Sequence, residues 1–206
     1  MNEVLAVAIA YLLGTLPTGF LLTRYLAGVD LRTVGSGGTG ATNAQRALGT
    51  RWGVFVLIVD LIKGIAAVAL ARWMDISPLW VALAGIAVVA GHCWPVWLRF
   101  RGGKGVATGA GAAFALSPWA LLLIPVMIVP IAMTRDVSLG SVLAAVATPI
   151  LFAVLAAADV VSWTAVLFGL VAGGIIIVRH RTNIERLRTG TERKLGRRQQ
   201  EVGRPA

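Results

Sequence analysis

Residues 91–111 read GHCWPVWLRFRGGKGVATGAG. An apolar, aromatic run ends at Pro95 to Leu98, gives way to the basic loop Arg99, Phe100, Arg101, Gly102, Gly103, Lys104, and resumes as a small-residue apolar run from Gly105. That is a loop built to hold an anion at a membrane surface. Glycines let the backbone turn sharply and bring its N–H groups close to a ligand. The next helix starts there with its positive dipole end, and Lys104 adds a formal charge.

Working outward, composition places this stretch in a membrane. Of 206 residues, 57% are hydrophobic and 14% charged, with a mean hydropathy of +0.81; such values exclude an ordinary soluble domain. The net charge of +10 is shared among short basic loops between apolar runs, which argues for a membrane face and against nucleic acid. The single Cys93 excludes an intrachain disulfide. Two histidines and few carboxylates speak against a zinc site, so no metal or cofactor is expected.

Seven apolar segments predict seven transmembrane helices: Val4 to Leu22, Gly53 to Trp73, Pro78 to Leu98, Gly105 to Leu116, Trp119 to Met133, Leu139 to Ala157 and Val161 to Val178. The fourth and fifth are short, but fused they would run roughly 43 Å at about 1.5 Å per residue, too long for one span. Ser117 and Pro118 therefore mark a turn. Seven spans gather the basic loops and tail on one side and leave only Arg72 on the other, which the positive-inside bias places with the N-terminus outside and the C-terminus in the cytoplasm. Met1 to Glu3 carry no basic signal-peptide region, so the first span reads as retained. The chain reads as one all-α integral membrane domain, 1–206, with a basic cytoplasmic tail over about 188–206 resting partly on anionic headgroups. Within the second span, Asp60 and Lys63 lie one turn apart; they read either as a structural pair locking helices together or as a ligand contact.

Four polar concentrations fall on the cytoplasmic side. The first, VGSGGTGATNAQRALG at 34–49, satisfies G-x-G-x-x-G but follows no strand, which excludes a dinucleotide site. It reads as a glycine-rich turn with Ser36, opening a short interfacial helix whose Asn43 and Arg46 share a face. Arg46 then either grips a phosphate or snorkels to headgroups. In the second, 91–111, Lys104 is followed by Gly105 and not by Ser or Thr, so this is no nucleotide-hydrolysing loop. Gly105 and Gly109 form a G-x-x-x-G pair suited to close helix packing. His92 there reads as structural or catalytic. The third, TRDVSLGS at 134–141, predicts Ser138 as a helix cap and Ser141 as a hydrogen-bond donor to a phosphate. The fourth, RHRTNIERL at 179–187, sets His180 and Asn183 three apart, with His180 suited to proton transfer or to orienting a substrate.

Together GTLPTGFLLTRYLAGVDLRTVGSGGTGATNAQRALG, DLIKG, GHCWPVWLRFRGGKGVATGAG, TRDVSLGS and RHRTNIERLRTGTERKLG closely resemble, in order and spacing, the bacterial acyl-phosphate-dependent glycerol-3-phosphate acyltransferase family. The resemblance covers nearly the whole chain. It implies a seven-helix inner-membrane enzyme, active at the cytoplasmic face, that moves a fatty acyl group from acyl-phosphate to the sn-1 hydroxyl of glycerol-3-phosphate. Carried over residue by residue, it implies catalytic roles for Ser36, Arg46, Lys104, His180 and Asn183, and substrate binding by Gly37, Asn43, Gly102, Gly103, Gly105 and Ser141. Glu192 matches a structural position, and Gly38 departs from the Asn common at its place. Expected partners are the two substrates, the bilayer and, transiently, the soluble enzyme that makes acyl-phosphate; the protein is expected to be a monomer and to bind no nucleic acid. An organic-phosphate transporter and an acyl-thioester-dependent acyltransferase are the competing readings. The first should show polar groups at mid-membrane, and the H-x-x-x-x-D motif of the second is absent: Trp97 and Glu185 stand five after His92 and His180.

Overall fold

A computed structural model describes residues 1–195. These form ten α-helices, and no strand among the described residues: α1 (Asn2–Gly14), α2 (Thr18–Ala27), α3 (Ala41–Leu48), α4 (Thr50–Trp73), α5 (Pro78–Cys93), α6 (Val106–Leu116), α7 (Leu123–Thr134), α8 (Val137–Ala157), α9 (Thr164–Arg179) and α10 (Arg181–Arg188). All seven apolar segments are helical, and Ser117–Pro118 breaks the chain between α6 and α7 as expected, with Ser117 in an extended conformation. By length and composition four of them can cross a membrane, Asn2–Ala27, Thr50–Trp73, Pro78–Leu98 and Val137–Ala157; a fifth counts if α9 and α10, bent by 61°, are taken together. α6 and the stretch Pro118–Thr134 are shorter apolar helices.

The first apolar segment is not one straight helix over 4–22. Its pattern continues to Ala27 but breaks at Thr15 to Pro17, because Pro17 has no N–H to continue the ladder. The break is where Lys63 docks. Its ammonium donates to the Leu16 carbonyl at 3.1 Å and lies 2.8 Å from Asp60 Oδ1, with both side chains buried. Asp60 Oδ1 also lies 3.5 Å from His92 Nδ1, and Thr108 Oγ1 sits 3.3 Å from the same ring nitrogen. The pair therefore ties α4 to the α1–α2 break and to α5 and α6, and Asp60 and His92 also line the cavity described below.

Helix contacts follow the small residues. α1 lies along α5, α4 along α6, and α8 against both α7 and α9. A Cβ on Gly14 would fall 2.2 Å from the Val88 carbonyl oxygen, and one on Gly64 2.1 Å from that of Thr108; these are backbone-to-backbone approaches that only glycine permits. The expected G-x-x-x-G contact is displaced. Gly109 faces the Ile176 and Val89 side chains, and the close approach of α6 to α4 is made by Gly111 on the Leu61 carbonyl. Gly105 serves a different purpose, holding φ +82° just before α6.

The tail also departs from expectation. Residues 191–195 fold back on the bundle and do not trail from it: Leu195 N–H donates to the Arg135 carbonyl at 2.8 Å, and Lys194 to the Thr134 carbonyl and to Asp136 Oδ2 at 2.8 and 2.9 Å. The expected tail beyond 195 lies outside the described residues.

Candidate active site

A cavity of about 510 Å³ running along α6 gathers residues from all four polar segments, Ser36, Arg46, Lys104, Gly105, Ser141, His180 and Asn183, and is lined also by Glu192 and Arg193. Away from them its walls are apolar, built by Leu61, Phe114, Ile124, Met127, Phe168 and Ile176 among others. A cationic head and an oily body in one space fit an amphiphile with an anionic group.

The polar end is organised around Asn183. Lys104 Nζ donates to Asn183 Oδ1 at 2.5 Å, and Asn183 Nδ2 donates to Glu192 Oε1 at 2.7 Å. Glu192 also accepts from Ser138 Oγ at 3.0 Å and from Arg186 Nε at 2.8 Å. Ser138 is thus not a helix cap: α8 starts after Asp136 with no side-chain cap, and the Ser138 hydroxyl crosses to the C-terminal segment. Burial works to raise the Glu192 carboxyl, but the hydrogen bonds from Arg186, Asn183 and Ser138 outweigh it and hold Glu192 below its ordinary range. Burial pushes the Lys104 ammonium down to about 8; Glu192 opposes that, while Arg186, Arg46 and Arg179 add to it.

His180 ends α9, with its Nδ1 2.8 Å from the Ile176 carbonyl. A carbonyl only accepts, so Nδ1 carries the proton and Nε2 is the free acceptor in the neutral ring. Burial first, then the Lys104 charge, push His180 down to about 4; the ring is therefore neutral at pH 7. Arg46 lies on α3 and donates to the Arg193 carbonyl at 3.3 Å. Ser141 Oγ donates to the Val137 carbonyl at 2.8 Å, so it donates to a ligand only by rotating out of that bond, while its lone pairs stay free to accept. Ser36 lines the cavity, and among the described residues no side chain bonds its hydroxyl.

Geometry assigns hydrogen bonds or a place to four of the expected binding residues. Gly102 and Gly103 do not present N–H groups to the cavity; they donate back to the Cys93 and His92 carbonyls at 3.2 and 3.0 Å. Their own carbonyls accept from Arg179 at 3.1 and 3.0 Å. A Cβ on Gly103 would fall 2.1 Å from His92 Nε2, so these glycines let the loop press onto α5. Gly37 and Gly102 line a different cavity from Lys104. Asn43 lines the cavity, but its amide is already engaged: Nδ2 lies within 3.1 Å of the Leu31, Val34 and Gly38 carbonyls, and Oδ1 accepts from Ser36 N–H at 3.0 Å. It fixes the loop that presents Ser36. The signal missed in the sequence was Glu192 with Arg193, whose place at the cavity depends on the fold-back of 191–195.

The profile of the glycerol-3-phosphate acyltransferase family matches residues 4–190. The chain belongs to this family. Among the curated glycerol-3-phosphate acyltransferases it is 45% identical to that of Desulforamulus reducens, covering 95% of this chain and 96% of that one. It is 47% identical to that of Gloeobacter violaceus over 95% and 98%. The crystal structure of PlsY (YgiH), an integral membrane glycerol 3-phosphate acyltransferase, in its glycerol 3-phosphate form superposes with a TM-score of 0.86 at 40% identity, covering 95% and 96% of the two chains. Its lysophosphatidic acid form gives 0.84 at 39% identity. The chain is thus a membrane-embedded acyltransferase, and its cavity is the candidate place for transfer.

Proposed function

We propose that this acyltransferase moves a fatty acyl group from acyl-phosphate to the sn-1 hydroxyl of glycerol-3-phosphate, giving 1-acyl-glycerol-3-phosphate and inorganic phosphate. The observation that carries the reading is the single cavity whose cationic end, Arg46 and Lys104, opens into an apolar body: one space for phosphate groups and an acyl chain together. The acceptor hydroxyl attacks the acyl carbonyl carbon, the carbon–oxygen bond to phosphate breaks, and the cations stabilise the negative charge that develops.

The hydroxyl proton has two places to go, a substrate phosphate oxygen or His180. His180 at about 4 is a weaker base than a phosphate with a second pKa of about 6. That order favours a substrate phosphate oxygen as the proton acceptor, with His180 Nε2 orienting the hydroxyl. A covalent acyl-Ser36 route would want a base on Ser36, and among the described residues no side chain hydrogen-bonds its hydroxyl.

Basic loops and the compositional bias support seven spans, with the N-terminus outside and this site facing the cytoplasm of a bacterial inner membrane. A monomer, meeting the soluble enzyme that makes acyl-phosphate only transiently, completes the reading. The test is purified protein with glycerol-3-phosphate and either acyl-phosphate or an acyl-thioester. Product from acyl-phosphate alone is expected; equal use of both donors, or none of acyl-phosphate, overturns the reading.

A further inference from the structure

A second cavity, about 730 Å³, lies back to back with the first. The two share loops: Ser36 and Gly103 face the first, Gly37 and Gly102 the second. The second is lined by four guanidinium groups, Arg32, Arg99, Arg101 and Arg179, against one carboxylate, Asp30.

Two of these arginines are fixed in place. Arg32 is clamped by Asp30, its Nε and one terminal nitrogen lying 3.0 and 2.7 Å from the carboxylate, while the other terminal nitrogen donates to the Leu98 carbonyl at 3.3 Å. Arg179 is held by the Gly102 and Gly103 carbonyls, over the Trp94 ring at 5.9 Å. Each keeps N–H groups beyond those bonds, in a planar fork that matches phosphate oxygens. Arg99 and Arg101 are exposed and take part in no ion pair among the described residues. Arg99 and Phe100 stand in consecutive left-handed conformations, φ 53° and 61°, an uncommon choice for residues with side chains that often marks a functional loop. Trp97 and Phe100, 67% and 57% exposed, stand beside the cations. Exposed aromatic rings next to arginines at the end of a membrane span are the signature of the headgroup level.

We propose that this cavity binds the phosphate headgroup of an anionic phospholipid, separately from the substrates, with the lipid's glycerol end lying against Trp97 and Phe100. The charge excess supplies the anion preference, and the aromatic pair selects a lipid over a soluble phosphate.

The test uses purified full-length protein in detergent micelles, titrated with phosphatidylglycerol or phosphatidylcholine of identical chains, with bound lipid counted by native mass spectrometry. Phosphatidylglycerol is expected to bind about tenfold more tightly, equivalent to about 1.4 kcal/mol. The Arg99→Gln/Arg101→Gln double variant should lose that preference while keeping its melting temperature, since both side chains are exposed. Excess glycerol-3-phosphate should leave the preference intact. Equal binding of the two lipids, a preference that survives in the double variant, or displacement of phosphatidylglycerol by inorganic phosphate would each overturn the proposal.

Discussion

Lys104 Nζ rests on Asn183 Oδ1 at 2.5 Å, and the other side of the same amide rests on Glu192. The amide keeps the ammonium one residue away from the carboxylate, so its charge is oriented without being neutralised. A phosphate entering the cavity meets a cation that has no carboxylate partner of its own among the described residues.

Asn183→Asp would put a carboxylate directly on Lys104 and against Glu192. We expect kcat/KM for glycerol-3-phosphate to fall about 100-fold, roughly 2.7 kcal/mol, with KM raised, in steady-state assays. An Asn183→Asp enzyme of unchanged kcat/KM would show that the spacing of Lys104 from a carboxylate does not matter.

Lys104 carries its charge below about pH 8 and loses it above. The pH profile of kcat/KM reports the free enzyme, so it should decline as pH rises through about 8. Lys104→Arg stays charged and should remove that decline at a lower plateau, because a planar fork does not replace a point charge. His180 stays neutral down to about pH 4, so no acid limb near pH 6.5 should vanish in His180→Gln; one that does would restore His180 as the base.

Asp60→Asn leaves the Lys63 ammonium buried without its partner. Removing one member of a buried pair costs about 3–5 kcal/mol, read as a large drop in melting temperature in detergent. The Asp60→Ala/Lys63→Ala double variant should recover part of the loss, and equal losses in both would refute the pairing.

Gly102→Ala would drive a Cβ to 2.2 Å from the His92 backbone carbonyl, whereas Gly103→Ala meets the His92 ring. Overpacking of this kind costs about 1–3 kcal/mol. The ring has some room to turn and the carbonyl has none, so Gly102→Ala should lower the melting temperature more than Gly103→Ala.

Much of this is legible in the sequence. The apolar runs become helices because hydropathy and the proline positions decide that locally, and the Ser117–Pro118 turn and the short helix carrying Asn43 and Arg46 come with them. Ser36, Arg46, Lys104, Ser141, His180 and Asn183 do meet in one cavity. What local reading does not supply is which way a group faces. Gly102 and Gly103 look like anion-binding N–H donors until α5 is seen to take those hydrogens, and Ser138 looks like a cap until Glu192 returns from 54 residues away. That the Asn43 amide also ties down the loop of Ser36 is equally invisible in the sequence. Each depends on a tertiary contact between distant segments.

Direct passage of the acyl group between two substrates held in one cavity is tested most sharply by the intact mass of the protein after incubation with acyl-phosphate and no acceptor. Direct transfer leaves that mass unchanged and gives prompt product once glycerol-3-phosphate is added; a stable acyl adduct on Ser36 that is discharged by glycerol-3-phosphate would contradict it.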